Sequence, residues 1–521
     1  MKKAMSILLA VLAFCCVNSA LGVTWNVPGD SATIQGGIDL ASYGDTVQVA
    51  AGTYIENITL KNGVTLIGAG AATTIIDGNN SGSVVTSSSC DPNTVIDGFT
   101  ITRGNAYDGG GMQNYNSSTV VTNCTFTGNV SLEVGGGMSN SGGSPTITGC
   151  TFSENSPAGY SLGGAMCNSY SSPVITGCTF INNVANGFQQ AGTGLGGAMY
   201  NDYSSPVITG CTFTQNRSRE GAGMYNHNSN PAVTDCRFIR NLATYTTGAA
   251  GMQNKSSSPT LTNCTFSGNV GAGGSMGNPR AGALLNQSSS NPIVVNCVFI
   301  GNWGIYGGGI CSEDSNPTVV NCTFCGNAGT WYGIMIGDAN VFDSIFWGNT
   351  AGAFGIISST VHIDYSNVQG GWSGTGNINA DPLFVRAPHP GADGKWGTAD
   401  DDYGDLRLSA GSPCIDKGAN AFIPAGITTD IDGYQRIIDG DCNDIEVVDM
   451  GAYEFNYAWM GDLDYNCGVD FLDFSIFAGA WQTQESDAGW NRPCDISNPP
   501  DNYIDLNDLL ILCNNWLAVI P

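Results

Sequence analysis

Between residues 110 and 349 one short pattern of apolar and polar positions recurs. A glycine-rich step leads to one apolar residue, a polar stretch broken by Ser, Asn and Pro follows, and a β-branched run closes on Cys-x-Phe-x-x-Asn. Two passes nearly coincide: "GGAMCNSYSSPVITGCTFINN" at 163–183 and "GGAMYNDYSSPVITGCTFTQN" at 196–216. The closing Phe falls at Phe126, Phe152, Phe180, Phe213, Phe238, Phe266, Phe299, Phe324 and Phe346, and a cysteine stands two before each of the first eight. Those cysteines, Cys124 to Cys322, are 26, 28, 33, 25, 28, 33 and 25 residues apart. Such a period marks stacked supersecondary units.

Within "PVITGCTF" the apolar side chains fall two apart, so they share one face of a strand. Gly and Ser-Asn-Pro segments interrupt every pass, and no ten-residue helical pattern intervenes, which excludes leucine-rich and helical solenoids. What remains is a coil of about three short strands, stacked in register at about 4.8 Å per turn. Cys, Phe, the Met of "GGAM" and the Ile or Val before Thr then form interior columns, and the closing asparagines pair their amides from coil to coil. Parallel Cβ vectors about 4.8 Å apart suit a disulfide poorly, so the cysteine column reads as buried free thiols.

The motifs "GGAM", "GGGM" and F-x-x-N resemble the repeats of right-handed parallel β-helix proteins of the pectate-lyase-like superfold and of polymorphic outer-membrane proteins. The resemblance covers Val23 to about Gln369 and implies an all-β solenoid. In "ATIQGGIDLASYGDTVQVAAGTYIEN" the segment Ile34 to Ala41 predicts a short amphipathic helix closing the open end of the core. The stretches "NADPLF", "GDLRLSAGSPCIDKGAN" and "VDMGAYEF" look like the tail that follows the β-helix in secreted bacterial proteins of this class. Cys414 and Cys442 are that tail's only thiols, and their pairing is expected in an exported chain.

Composition agrees with this reading: 73 glycines and 11% charged residues suit short strands and tight turns better than helices. The first 22 residues, "MKKAMSILLAVLAFCCVNSALG", read as a secretory signal cut after Gly22, while bulky Phe14 argues against a lipoprotein site at Cys15. No later run of eighteen apolar residues predicts a transmembrane segment. The net charge of −27 argues against nucleic acid as a partner. Of 43 acidic side chains, 25 lie from Asp381 onward, where calcium, a cation with hard oxygen ligands, becomes the expected cofactor. Asp393, Asp400, Asp401 and Asp402 read equally as a calcium loop or as a solvated acidic loop.

The composition changes again near the C-terminus. In "DLDYNCGVDFLD", Asp462, Asp464, Asn466, Asp470 and Asp473 hold positions one, three, five, nine and twelve of an EF-hand calcium loop. Asp495, Ser497, Asp501, Asp505 and Asp508 repeat those roles if "NPP" bulges the second loop by two residues. Two such loops, each feeding one helix, resemble a type I dockerin, which implies a cohesin-like protein partner. Cys467 in place of the turn glycine, and Phe471-Leu472 and Leu506-Asn507 at positions that often contact cohesin, depart from that pattern. The expected organisation is a signal peptide at 1–22, a β-helix at 23–370, a tail or cap at 371–457 and a dockerin-like module at 458–521.

Catalysis on a β-helix needs carboxylate pairs, or calcium carboxylates with a base. The polygalacturonase-like strings "NTD", "GHG" and "RIK" and the pectinesterase-like "DFIFG" are absent. Counting three residues on from each coil's Met places Asp202, His227 and Lys255 on successive coils, beside Tyr200 and Tyr225. Arg237 interrupts a column of threonines. Aromatic rings beside mixed charges fit a grip on a sugar chain, with Tyr200, Tyr225 and Arg237 as binding residues and Asp202, His227 and Lys255 as candidate catalytic residues. The chain therefore reads as a secreted protein, extracellular or on the cell surface, that binds polysaccharide or another surface ligand. A polysaccharide lyase or glycosidase working from the middle coils, and a structural or adhesive surface protein without a sugar site, are the other readings.

Overall fold

The computed structural model describes residues 22–187, 193–245, 248–271, 281–329, 335–350, 354–355, 361–456, 461–497 and 501–516. The predicted signal segment, apart from Gly22, and both ends of the predicted dockerin-like module lie outside the described residues.

The repeats wind into a parallel β-solenoid, as expected. Each coil crosses three sheets: sheet 1 with twelve strands, sheet 2 with fourteen and sheet 3 with thirteen. One coil shows the plan. Met199–Asp202 lies in sheet 1, Val207–Thr209 in sheet 2 and Thr212–Thr214 in sheet 3, each paired in parallel with the coils on both sides. Strand alternation sends Met199, Ile208 and Phe213 inward, where all three are buried.

Identical residues in register make the core a set of columns. From Phe126 to Phe346 the rings stack at 4.5–5.0 Å with interplanar angles of 2–11°. The closing asparagines form a buried ladder in which Asn183 Nδ2 donates to Asn216 Oδ1 and Asn216 Nδ2 to Asn241 Oδ1, both at 3.0 Å. A second ladder, not foreseen, runs through the Asn two residues after each Met: Asn168 donates to Asn201 and Asn201 to Asn226, both at 2.8 Å. The cysteines from Cys124 to Cys322 are buried and unbridged. Their sulfurs accept backbone N–H groups of the preceding coil at 3.3–3.5 Å, and burial raises the Cys264 and Cys297 thiols.

Helix α1, Ile34–Leu40, closes the N-terminal end of the solenoid. Thr33 caps it by accepting the Gly36 N–H, and Ile34 and Ile38 face the core. At the other end the chain turns back along the outer face of sheet 3. There the outward threonines give way to Val298, Ile300, Cys325 and Ile345, which pack against Leu406, Leu408, Met450 and Ala452 of the tail. Trp396 lies against Gly301 and Gly326, where a Cβ would meet the indole at 2.3 and 2.9 Å.

The expected Cys414–Cys442 disulfide does not form. Cys414 is buried beneath the tail and accepts Asn367 Nδ2 at 3.1 Å, whereas Cys442 bonds to Cys467 of the C-terminal module. Folding the tail onto sheet 3 locks Cys414 among Ile345, Met450 and Phe455. Cys442 is left in the loop that faces the module.

The tail also buries charge. Arg436 is fully buried, with Nη1 3.4 Å from the Glu454 carboxylate and Nη2 donating to the Gly451 carbonyl. Asp430 and Asp449 are buried nearby, and burial pushes them up to about 7 and about 8. A carboxyl whose pKa is higher folded than unfolded stabilises fully below the unfolded value of about 4, and that stability is lost as pH rises through the folded value. Thermal melting in chelator should therefore show the tail losing several degrees between pH 5.5 and 8.5. A melting temperature that rises over that range would contradict the assignment.

Helices α2, Phe471–Gly479, and α3, Leu506–Asn514, form the C-terminal module. Each starts at a capping box, Asp470 with Asp473 and Asp505 with Asp508. Their core of Val469, Phe477, Ile496, Ile504 and Leu512 takes in Tyr434 from the tail, so tail and module share apolar contacts as well as the disulfide.

Candidate functional site

The outer face of sheet 1 carries two columns, and the structure treats them differently. The second residue of each strand gives Cys167, Tyr200, Tyr225 and Gln253, all buried. The loops entering sheet 1 form a ladder of their own, Val134–Leu162–Leu195–Glu220, and Leu162 and Leu195 pack against the tyrosines. Tyr200 and Tyr225 retain 9% and 4% of their exposure, with ring centroids 5.7 Å apart. Burial raises both phenols. The expected tyrosine platform is therefore a wall beneath the loops and offers no open ring.

The fourth residue of each strand remains accessible. The register stacks Asp202 on His227 and His227 on Lys255, as the Met count predicts. His227 Nδ1 lies 2.8 Å from Asp202 Oδ1, while Lys255 is exposed and forms no ion pair among the described residues. A His–Asp pair is not by itself distinctive in so acidic a chain. His362 lies 2.8 Å from Asp364 and His389 3.7 Å from Asp402, both far along the chain from these coils. Arg237 is removed from this site altogether: it lies on sheet 3, between Thr212 and Thr265, where its charge acts on Asp432 of the tail.

The exposed aromatic pair lies just after the fourth column. Tyr170 and Tyr203 follow Ser169 and Asp202 in left-handed backbone, with φ of 49° and 47°, and this throws their side chains outward from the turn. They are 68% and 53% exposed, and their rings stack at 5.1 Å and 1°. The rings of His227 and Tyr203 are T-shaped to one another, with centroids 6.2 Å apart. Both tyrosines stand in the quoted repeats, in "NSYSSP" and "NDYSSP". The missed signal is the turn that follows the strand, which reverses the sense of inside and outside there.

In the C-terminal module, carboxyl oxygens of Asp462, Asp464 and Asp473 lie within 4.8 Å of one another. Burial, with the charges of Asp473 and Asp464 beside it, pushes the Asp462 carboxyl up to about 7. Asp473 accepts the N–H groups of Leu463, Asp464 and Asp470, and the Asn466 amide donates to Asp464. The second loop repeats the plan. Asp508 accepts the N–H groups of Ser497 and Asp505, Asp495 those of Asp501 and Asn502, and the Ser497 hydroxyl donates to Asp495. Asp470 and Asp505 cap their helices. This all-oxygen donor set is one that could hold a hard cation such as calcium. The loop at 393–402 has no such convergence: Asp400 accepts N–H groups of Ala392 and Asp393, Asp401 those of Gly397 and Thr398, and Asp402 pairs with Arg386.

A family model described as "Right handed beta helix region" matches residues 37–195 and 191–283. The repeats are right-handed β-helix repeats. No curated protein sequence matches the chain. Among solved structures it is similar to pectate lyase Pel9A, at 14% identity over 83% of this chain and 96% of that one, with a TM-score of 0.36. It is similar also to a mannuronic-acid-specific polysaccharide family 6 lyase from human gut microbiota, at 12% identity over 66% and 86%, TM-score 0.42. A third is the PL6 family alginate lyase AlyGC, at 13% identity over 72% and 55%, TM-score 0.43. At those values no substrate carries over to this chain. No described helix is long and apolar enough to cross a membrane.

Proposed function

We propose that this chain is a secreted polysaccharide-binding β-helix that grips a glycan at the exposed edge of sheet 1. One observation carries the reading: two parallel, solvent-exposed tyrosines one coil apart, next to the hydrogen-bonded Asp202–His227 pair. Sugar rings present C–H faces that lie flat on aromatic rings, while their hydroxyls need donors and acceptors at the same edge. Asp202, His227 and Lys255 supply both. A rigid fold presents the tyrosines, so little side-chain freedom is lost on binding.

The C-terminal module is assigned to attachment through a cohesin-like protein partner. Asp462, Asp464, Asn466 and Asp473 would hold one calcium ion, and Asp495, Ser497, Asp501 and Asp508 a second. The ions would neutralise carboxylates that otherwise repel one another.

A glycan panel with product detection tests the sugar reading. Wild type should bind at least one polysaccharide, and the double variant Tyr170→Ala/Tyr203→Ala should weaken that binding at least tenfold with its melting temperature unchanged. Unaltered affinity in the double variant would refute it. The His227–Asp202 hydrogen bond favours a second reading, in which His227 is a general base of a lyase or glycosidase. That reading requires product from the wild type and its loss in His227→Ala.

A further inference from the structure

The tyrosine ladder has two ends, and they differ. Tyr170 and Tyr203 stack face to face along the direction in which the coils repeat, so each covers one face of the other. On the other side of Tyr203, one coil on, lies His227, whose ring is T-shaped to the phenol. The outer face of Tyr170 looks toward the preceding coil, where the register places Gly142, a residue with no side chain. One coil further, Asn116 is exposed, and its amide reaches back over this gap. A Cβ on Gly142 would lie 2.2 Å from Asn116 Oδ1.

We infer that this open face of Tyr170, floored by Gly142 and edged by the Asn116 amide, is the stacking subsite for a single pyranose ring of an uncharged, equatorially linked glycan. The inference rests on the polysaccharide reading above. A ring lying flat on Tyr170 has its plane across the solenoid axis. Equatorial linkages leave a pyranose in the plane of its ring, so the glycan crosses the solenoid and does not follow it lengthwise. A β-1,4-linked glucosyl or xylosyl chain meets these demands, because its rings carry only C–H on their faces. A polyuronate meets them poorly. Asp108 and Glu133 lie on the coils near this end, Asp202 adds a third carboxylate, and the whole chain carries −27.

Gly142 gives the decisive variant. The same turn position carries Asn116 at φ 48°, Tyr170 at 49° and Tyr203 at 47°, so side chains are tolerated there, and Asn116 is a flexible group that can swing aside. Gly142→Tyr lengthens the ladder by one ring, which stacks on Tyr170 and covers the subsite while residue 170 itself is unchanged. The probes are β-1,4-linked gluco- and xylo-oligosaccharides of one to six units, titrated calorimetrically against the full chain. Tyr170→Ala and Gly142→Tyr should each weaken binding at least tenfold, Tyr203→Ala no more than threefold, and affinity should level off by the trisaccharide. Gly142→Asn, whose residue type already occupies this column, serves as a milder block should the tyrosine variant fail to fold.

Several results would overturn the subsite. They are full affinity in a folded Gly142 variant, equal losses in Tyr170→Ala and Tyr203→Ala, affinity climbing steadily to the hexasaccharide, and binding only to polyuronates. Each leaves the broader polysaccharide reading standing if the double tyrosine variant still abolishes binding. A chain that binds no glycan in the panel removes both.

Discussion

Asn216→Leu should destabilise the solenoid by about 4 kcal/mol, although leucine fills nearly the same space. Asn216 Oδ1 accepts both the backbone N–H and the side-chain amide of Asn183, and its Nδ2 donates to the Phe180 carbonyl and to Asn241 Oδ1. Every one of these atoms is buried, so no water replaces the lost partner. An orphaned buried donor or acceptor costs roughly 1–3 kcal/mol, and leucine orphans two or three at once. Ladder neighbours cannot adjust, because each is held in turn by the next coil. Gln215→Asn, one residue earlier and exposed, should stay within about 0.5 kcal/mol of wild type. Denaturant melts of the three proteins check this. A leucine variant as stable as wild type would mean that the amide ladder adds nothing beyond shape.

Calcium removal should melt the C-terminal module and leave the solenoid intact. With its carboxylates unneutralised, the first loop holds oxygens of Asp462, Asp464 and Asp473 within 4.8 Å of one another, a repulsion that a cation or protons would relieve. At a calcium concentration a thousand times the dissociation constant, binding adds about 4 kcal/mol to the folded state. That is a large share of the stability of so small a unit. Asp473→Ala should therefore remove the calcium dependence of the module's melting temperature, melting no later in calcium than in chelator. Trp481, Trp490 and Trp516, which pack on the module core, report its melting separately from the β signal of the coils. Identical melts with calcium and with chelator would remove the metal assignment. The Cys442–Cys467 bond should keep the melted module attached to the tail.

The solenoid was legible in the sequence because its physics is local and repeated. Each coil sees the same neighbours, so the interior columns of Met, Ile, Cys and Phe follow from counting residues, and the Asp202–His227–Lys255 stack follows from the same count. Tyr200 and Tyr225 were misread because counting gives the face of a strand but not what lies over it. The loops that bury them, through Leu162 and Leu195, differ in length and sequence from coil to coil. Tyr170 and Tyr203 were overlooked because they sit in a left-handed turn, where strand alternation no longer tells inside from outside. The disulfide was misassigned for a related reason. Cys442 pairs across a junction between tail and module, and Cys414 is removed from the pool by packing against Ile345, which is distant in sequence. Arg237 belongs to the tail's surroundings for the same cause: the tail folds back over sheet 3.

A crystal structure of the full chain, with the tightest-binding glycan of the panel soaked in, tests the central claim most directly. The account predicts sugar density on the tyrosine edge of sheet 1, against Tyr170 and within hydrogen-bonding reach of Asn116. A rival is the groove of about 670 Å3 between tail and module, lined by Thr428, Gln435, Tyr465 and Asn491. Sugar in that groove or on sheet 3, with Tyr170 and Tyr203 bare, would contradict it.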